Sequence, residues 1–192
     1  MALTHISAKN QIANADTDTS IEAKTCRIFY EDALKFVLAD LDWGFATARK
    51  LLAELSETAP ADWDYVYAYP NDCVKAREIY TGNRRTGTED IAFEIGLNAD
   101  NTVKAIYSDQ YQATLRYTAN VTNPNLFPAG FVTMFAWYLA SLIAMPLTKK
   151  KAIKDDAEKG YKEAKAMAAA IDASEDDLFE DTPDSEFIRT RE

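Results

Sequence analysis

From Tyr117 to Thr148 the chain runs for 32 residues without one Asp, Glu, Lys or Arg. Inside that run, Leu126 to Leu147 reads LFPAGFVTMFAWYLASLIAMPL, 22 residues long and mostly apolar. A stretch of that length and hydropathy is either a membrane span or the most buried helix of a protein core. Its prolines favour the core. Pro124 and Pro128 lie at its start and Pro146 near its end, so the uninterrupted helix is expected over about residues 129–146. Lys149–Lys150–Lys151 imitates a cytoplasmic flank, yet no second such segment exists and no signal-peptide pattern opens the chain. Ala136, Ala140 and Ala144 recur every four positions, a narrow stripe that lets another backbone approach closely. The segment therefore reads as a core helix without membrane insertion, covered by amphipathic partners from the rest of the chain.

The rest of the chain can supply that cover. Its 192 residues suit one domain with appendages, and 9 Phe, 10 Tyr and 3 Trp suit large contact surfaces. Cys26 and Cys73 stand far apart, with no metal-type spacing and no disulfide framework. The net charge of −10 is unevenly placed. Residues 172–192 hold nine acids and two bases, a net of −7, while the other 171 residues carry only −3. A nearly balanced body lacks the basic patch of a dedicated nucleic-acid binder.

Periodicity orders the elements. Residues 2–12 form a weak helical segment. Ser20 is a candidate N-cap for an amphipathic helix over 21–41, with Glu31 and Lys35 as an i,i+4 pair. Phe45 to Leu55 fits helix or strand, since short apolar windows do not decide between them. Strands follow at Trp63–Tyr69, within Cys73–Tyr80, around Ile91–Ile95, at Val103–Tyr107 beyond an Asn98–Asn101 turn, and at Ala113–Val121. After the core helix, residues 150–173 read as a long Ala- and Lys-rich helix interrupted by Gly160. The expected fold is α+β and mainly helical. N- and C-terminal helices form a bundle, a small antiparallel β-region (about 45–122) is inserted in the middle, and an extended tail follows. Residues 1–173 make one domain; 174–192 make an acidic tail, disordered until bound.

Chemistry is scarce. His5 is the only histidine, so any His-centred metal site or triad would have to use it. Cys26 has no histidine partner in its segment and reads as a structural thiol. Asp155–Asp156 are consecutive on a helix and point apart, and Asp176–Asp177 are solvated in the tail, unlike a glycosidase pair. No phosphate-cradling glycine motif is present. No catalytic, cofactor or metal site is expected. Two features suit contacts instead. Gly82–Asn83–Arg84–Arg85–Thr86–Gly87 is a compact basic loop. In the tail, Leu178–Phe179 and Phe187–Ile188 are apolar pairs set among acids, the pattern of a segment that orders on binding.

Several stretches, in order, resemble the head-to-tail adaptor (tail tubular protein A) family of short-tailed bacteriophages. They are Glu22–Ala23 with Cys26 and Tyr30; Trp43, Phe45, Ala46 and Arg49; Tyr67, Tyr69, Pro70, Asp72 and Cys73; IYSD with LRYTANVT from Ile106 to Thr122; and FAWYLASLIAMPLT from Phe135 to Thr148. Together they span about residues 20–150. The resemblance implies a structural virion protein with no catalytic role and no cofactor. Such a protein forms a ring, typically of twelve subunits, beneath the portal of the filled capsid. It extends the channel for double-stranded DNA without sequence-specific binding and gives the tail nozzle its platform. The location implied is the virion tail at the portal vertex, after assembly in the host cytoplasm. Carried onto this chain, the portal-docking element would be Leu178, Phe179, Phe187 and Ile188. Arg84 and Arg85 would contact neighbouring subunits, the nozzle or the channel. The competing expectation is a tail-associated cell-wall hydrolase, which would need paired carboxylates in a cleft.

Overall fold

A computed structural model of the chain describes residues 1–8, 12, 14, 17–80 and 91–176, the last five of these for their backbone alone. The fold is α+β, with helices α1 (Ala2–His5), α2 (Ile21–Asp40), α3 (Ala129–Thr148) and α4 (Lys151–Asp176). Between α2 and α3 come strands β1 (Thr47–Leu51), β2 (Tyr65–Ala68), β3 (Cys73–Tyr80), β4 (Phe93–Leu97), β5 (Lys104–Ser108) and β6 (Thr114–Ala119). The chain divides into two compact units: Met1–Gln11 with Ala129–Glu192, and Ile12–Pro128.

The first unit joins the two chain ends. In it α3 and α4 form an antiparallel hairpin, with α1 packed on α3. The uncharged stretch becomes α3, and Phe131, Met134, Phe135, Leu139, Ala140, Ile143 and Ala144 are among its buried residues. Over its most apolar window, half the residues are buried inside the protein. The alanine stripe at 136, 140 and 144 is buried throughout. Pro146 removes one amide donor, but the helix persists two residues further and turns at Lys149, whose φ is 56°. Close approach along the hairpin needs small residues. Gly130 faces Ala168, and Gly160 faces the Trp137 indole. The residue range 2–12 is not one helix. Helix α1 stops at His5 because Ser7 takes φ 53°, with Ser7 N–H donating to Thr4 O (3.1 Å) and Ala8 N–H to Leu3 O (3.0 Å). This paired closure is the Schellman ending, here built on serine instead of glycine.

Gly160 yields a prediction with competing signs. Glycine inside a helix costs about 0.5–1 kcal/mol relative to alanine. A Cβ at 160, however, would lie 2.6 Å from two Trp137 ring carbons. Overpacking of that kind costs about 1–3 kcal/mol. Gly160→Ala is therefore expected to lower the melting temperature by a few degrees. An unchanged or raised melting temperature would mean that Trp137 swings aside freely.

In the second unit, two three-stranded antiparallel sheets run in the orders β1-β6-β3 and β2-β5-β4. Single bridges stitch them together: Glu54, just past β1, pairs with Tyr67 of β2, and Ile79 of β3 pairs with Ile91, just before β4. Leu52, Tyr67, Ile79, Ile106, Ala113, Leu115 and Tyr117 form the core of this β-region. The segment that fits either helix or strand becomes a short 3-10 turn (Gly44–Ala46) followed by β1, because Thr47 to Leu51 find register partners Thr118 to Thr114 on β6. The Asn98–Asn101 turn joins β4 and β5 as expected, and the Asn98 side-chain oxygen accepts from Thr102 N (2.8 Å) and Val103 N (3.0 Å).

Helix α2 belongs to this unit and not with α3 and α4. Ser20 caps its start by accepting from Ala23 N at 3.2 Å. No base lies in its last turn. The β-region supplies them instead: Lys75 Nζ and Arg77 Nη2 both donate to Ala39 O at 3.3 Å, and Arg77 also donates to Leu41 O. Cations at the carbonyl end of a helix satisfy orphan acceptors and oppose the negative end of its dipole.

Candidate functional site

The residues with chemical potential are dispersed into structural roles. His5 stacks on Trp137 with ring centroids 3.7 Å apart, and its Nε2 is buried without a hydrogen-bond partner. Burial, then the positive amino terminus, hold its pKa below the usual histidine value. Cys26 and Cys73 are free and half-buried. Burial pushes both thiols up, away from the reactive thiolate. Asp155 and Asp156 are both exposed on α4. Among the described residues, no group of three or more His, Cys, Asp or Glu side chains could hold a metal ion.

Polar groups instead make joints. Tyr117 O–H lies 3.1 and 3.0 Å from the two Asp72 carboxylate oxygens. Arg116 reaches Asp42 at 2.8 Å and Glu78 at 3.7 Å. Arg77 Nε donates to Thr118 Oγ1 at 2.9 Å and lies 3.5 Å from Asp42. Burial first, and then the hydrogen bond to Asp72, push the Tyr117 hydroxyl up to about 12. Burial also raises Tyr69.

A tyrosine whose folded pKa exceeds its unfolded value of about 10 contributes stability that is complete below that pH and lost as pH climbs through the folded value. Urea midpoints are therefore expected to fall between about pH 10 and pH 12. Tyr117→Phe should flatten that fall while lowering stability at neutral pH. An identical alkaline slope in the variant would remove Tyr117 as its source.

Large apolar side chains stand exposed on ordered elements. On α2, Ile21 (72%), Ile28 (70%) and Phe36 (47%) lie on the face opposite Ala33, Leu34, Val37 and Leu38, which are buried. At the β4–β5 hairpin end, Ile95, Leu97 and Val103 are exposed, as are Leu51 on β1 and Tyr111 before β6. Two shallow openings accompany them. One lies between Lys50–Ala53 and Ala68–Asn71, the other beside Arg77, Glu78 and Ile91–Phe93.

The sequence does not flag these patches. The one available signal is that α2 carries more apolar residues than a single buried stripe can hold. Arg84 and Arg85, and all four tail residues Leu178, Phe179, Phe187 and Ile188, lie outside the described residues. No protein-family model matches the chain, and no curated protein matches its sequence.

Proposed function

We propose that this chain is a ring-forming head-to-tail adaptor of a bacteriophage, a structural virion protein. In this reading it docks under a portal, extends the DNA channel and seats a tail nozzle. The ring, twelve-membered by resemblance, forms from copies of this chain in the host cytoplasm and ends in the virion tail. The C-terminal segment, anchored by Leu178–Phe179 and Phe187–Ile188, contacts the portal. Arg84 and Arg85 meet a neighbouring subunit, the nozzle or the DNA channel.

The observation that carries this reading is the set of exposed apolar side chains on ordered elements, above all Ile21, Ile28 and Phe36 on α2. Surfaces of this kind on a well-packed unit are suited to being covered by another protein. The positions that bear the family resemblance support it further. Trp43 is 2% exposed and donates from Nε1 to Val37 O at 2.9 Å. Tyr67 O–H donates to Gln110 O at 2.5 Å, and Asp72 accepts from Tyr117. These residues hold α2 and the strands in place, a role that suits a scaffold.

The test is to mix the chain with the portal of its own phage and image the product by electron microscopy. A stoichiometric ring seated on the portal is expected. Protease should cut between Ser174 and Asp184 in the free chain diluted well below micromolar concentration and be blocked there in the complex. No complex at micromolar concentration, together with unchanged cutting, would overturn the reading.

A further inference from the structure

β1 is an edge strand of its sheet, and its last three residues, Arg49, Lys50 and Leu51, are exposed. Leu52 N–H donates to Ala113 O at 2.9 Å, toward the β6 side. In an antiparallel ladder the direction alternates, so the main-chain groups of Leu51 and Arg49 face away from β6, along the open edge. Just beyond, Ala68 N–H bonds Ala53 O, so the chain passes from one sheet to the other there. Where β1 and the end of β2 diverge, a cleft of about 180 Å³ opens. That is the volume of about six waters in the liquid, room for one aromatic or branched aliphatic side chain. Leu51, Leu52, Tyr69 and Pro70 supply its apolar lining.

Lys50 is the charged residue of the lining. Arg49 points to the other face of β1, its guanidinium 4.4 Å from the centroid of the Tyr80 ring. Lys104 Nζ lies 5.3 Å from the centroid of the Tyr69 ring. Among the described residues, no carboxylate belongs to the lining; Glu54 and Asp72 flank it in sequence, and Asp72 accepts from Tyr117. A strand edge, an apolar pocket and a positive rim together select an extended, acidic peptide with one large apolar anchor.

The chain contains such a peptide. Asp176–Asp177–Leu178–Phe179–Glu180–Asp181 places four acids around one apolar pair. The second pair, Phe187–Ile188, has Arg189 and Arg191 after it and fits a positive rim less well. Helix α4 ends at Asp176, so the better pair begins two residues past the helix.

We propose that residues 177–181 of one copy add to the β1 edge of a second copy. Phe179 seats in the cleft, and the flanking acids face Lys50 and Lys104. Each copy then owns one donor segment and one acceptor edge, so the contact is head-to-tail and can propagate from copy to copy. The inference stands without the adaptor reading, because it concerns this chain alone. In an adaptor ring it would transfer Leu178–Phe179 from the portal contact to a neighbouring copy and leave Phe187–Ile188 for the portal.

Sedimentation velocity of the full chain tests it. The natural chain should self-associate as its concentration rises through the micromolar range. Lys50→Glu damages the acceptor and keeps the donor. Leu178→Ser with Phe179→Ser damages the donor and keeps the acceptor. Each variant alone should associate at least about ten-fold more weakly, the loss expected for one interface anchor. Mixed together, they should form heterodimers that grow no further, because one intact donor meets one intact acceptor. A natural chain that stays monomeric, variants that associate as it does, or a mixture that stays monomeric would each overturn the proposal. Failure to bind a portal would leave these outcomes unchanged, so the two readings fail separately.

Discussion

Phe131→Ala is expected to destabilise the protein by about 3–5 kcal/mol, the range for emptying a buried aromatic site. Phe131 is 0% exposed in the first turns of α3, and its ring lies parallel to that of Phe135 at 6.1 Å. The start of α3 approaches α4 through glycine and alanine, Gly130 against Ala168. For a chain of this length the loss corresponds to roughly 10 °C in melting temperature. Thr133→Ala, exposed on the same helix, should change stability by less than about 0.5 kcal/mol. The contrast also tests the reading of the uncharged stretch. A helix held in a protein core loses heavily at 131 and hardly at all at 133. A helix facing lipid would show no such difference, and a loss at 131 below about 1 kcal/mol would favour lipid.

Elements whose signals are local could be read from the sequence. The β4–β5 hairpin was legible because alternation surrounds an Asn-rich turn, and Asn98 makes the turn's own hydrogen bonds. The start of α3 follows from Pro128, whereas its end, expected at Pro146, lies two residues further on at Thr148. Other elements depend on distant partners. Thr47–Leu51 has no alternation of its own; it becomes a strand because β6, more than sixty residues away, offers a matching edge. The end of α1 was hidden because its left-handed residue is Ser7, and a sequence reader looks for glycine there. The exposure of Ile21, Ile28 and Phe36 on α2 was not legible, since periodicity shows where apolar residues fall but not whether anything covers them. For the same reason the β1 cleft had no signature, as it exists only where two strands part company. Arg84, Arg85 and the tail pairs were legible as composition alone, and they fall outside the described residues.

Arg77→Ala is expected to cost about 2–4 kcal/mol, far more than an ordinary surface arginine, because hydrogen bonds from a charged donor contribute about 1.5–3 kcal/mol each and do not add fully. The register of β3 against β6 shifts between Ala76 and Glu78, so Arg77 occupies a bulge. A bulged residue is re-aimed relative to its neighbours, and here the guanidinium reaches four groups at once. It donates to Thr118 Oγ1, Ala39 O and Leu41 O and approaches Asp42, with its own side chain 14% exposed. Alanine would leave the Leu41 carbonyl and the buried Thr118 hydroxyl without this donor, and it would remove a cation from the negative end of α2. Lys75 still reaches Ala39 O, which sets a ceiling on the loss. Arg77→Lys keeps the charge but gives up the planar fork, so it should recover less than half of the stability. Urea unfolding of the three proteins decides the matter. If Arg77→Ala stays within about 0.5 kcal/mol of the natural chain, the joint between α2 and the strands is held by apolar packing alone. If lysine fully restores stability, the charge at the helix end matters and the forked geometry does not.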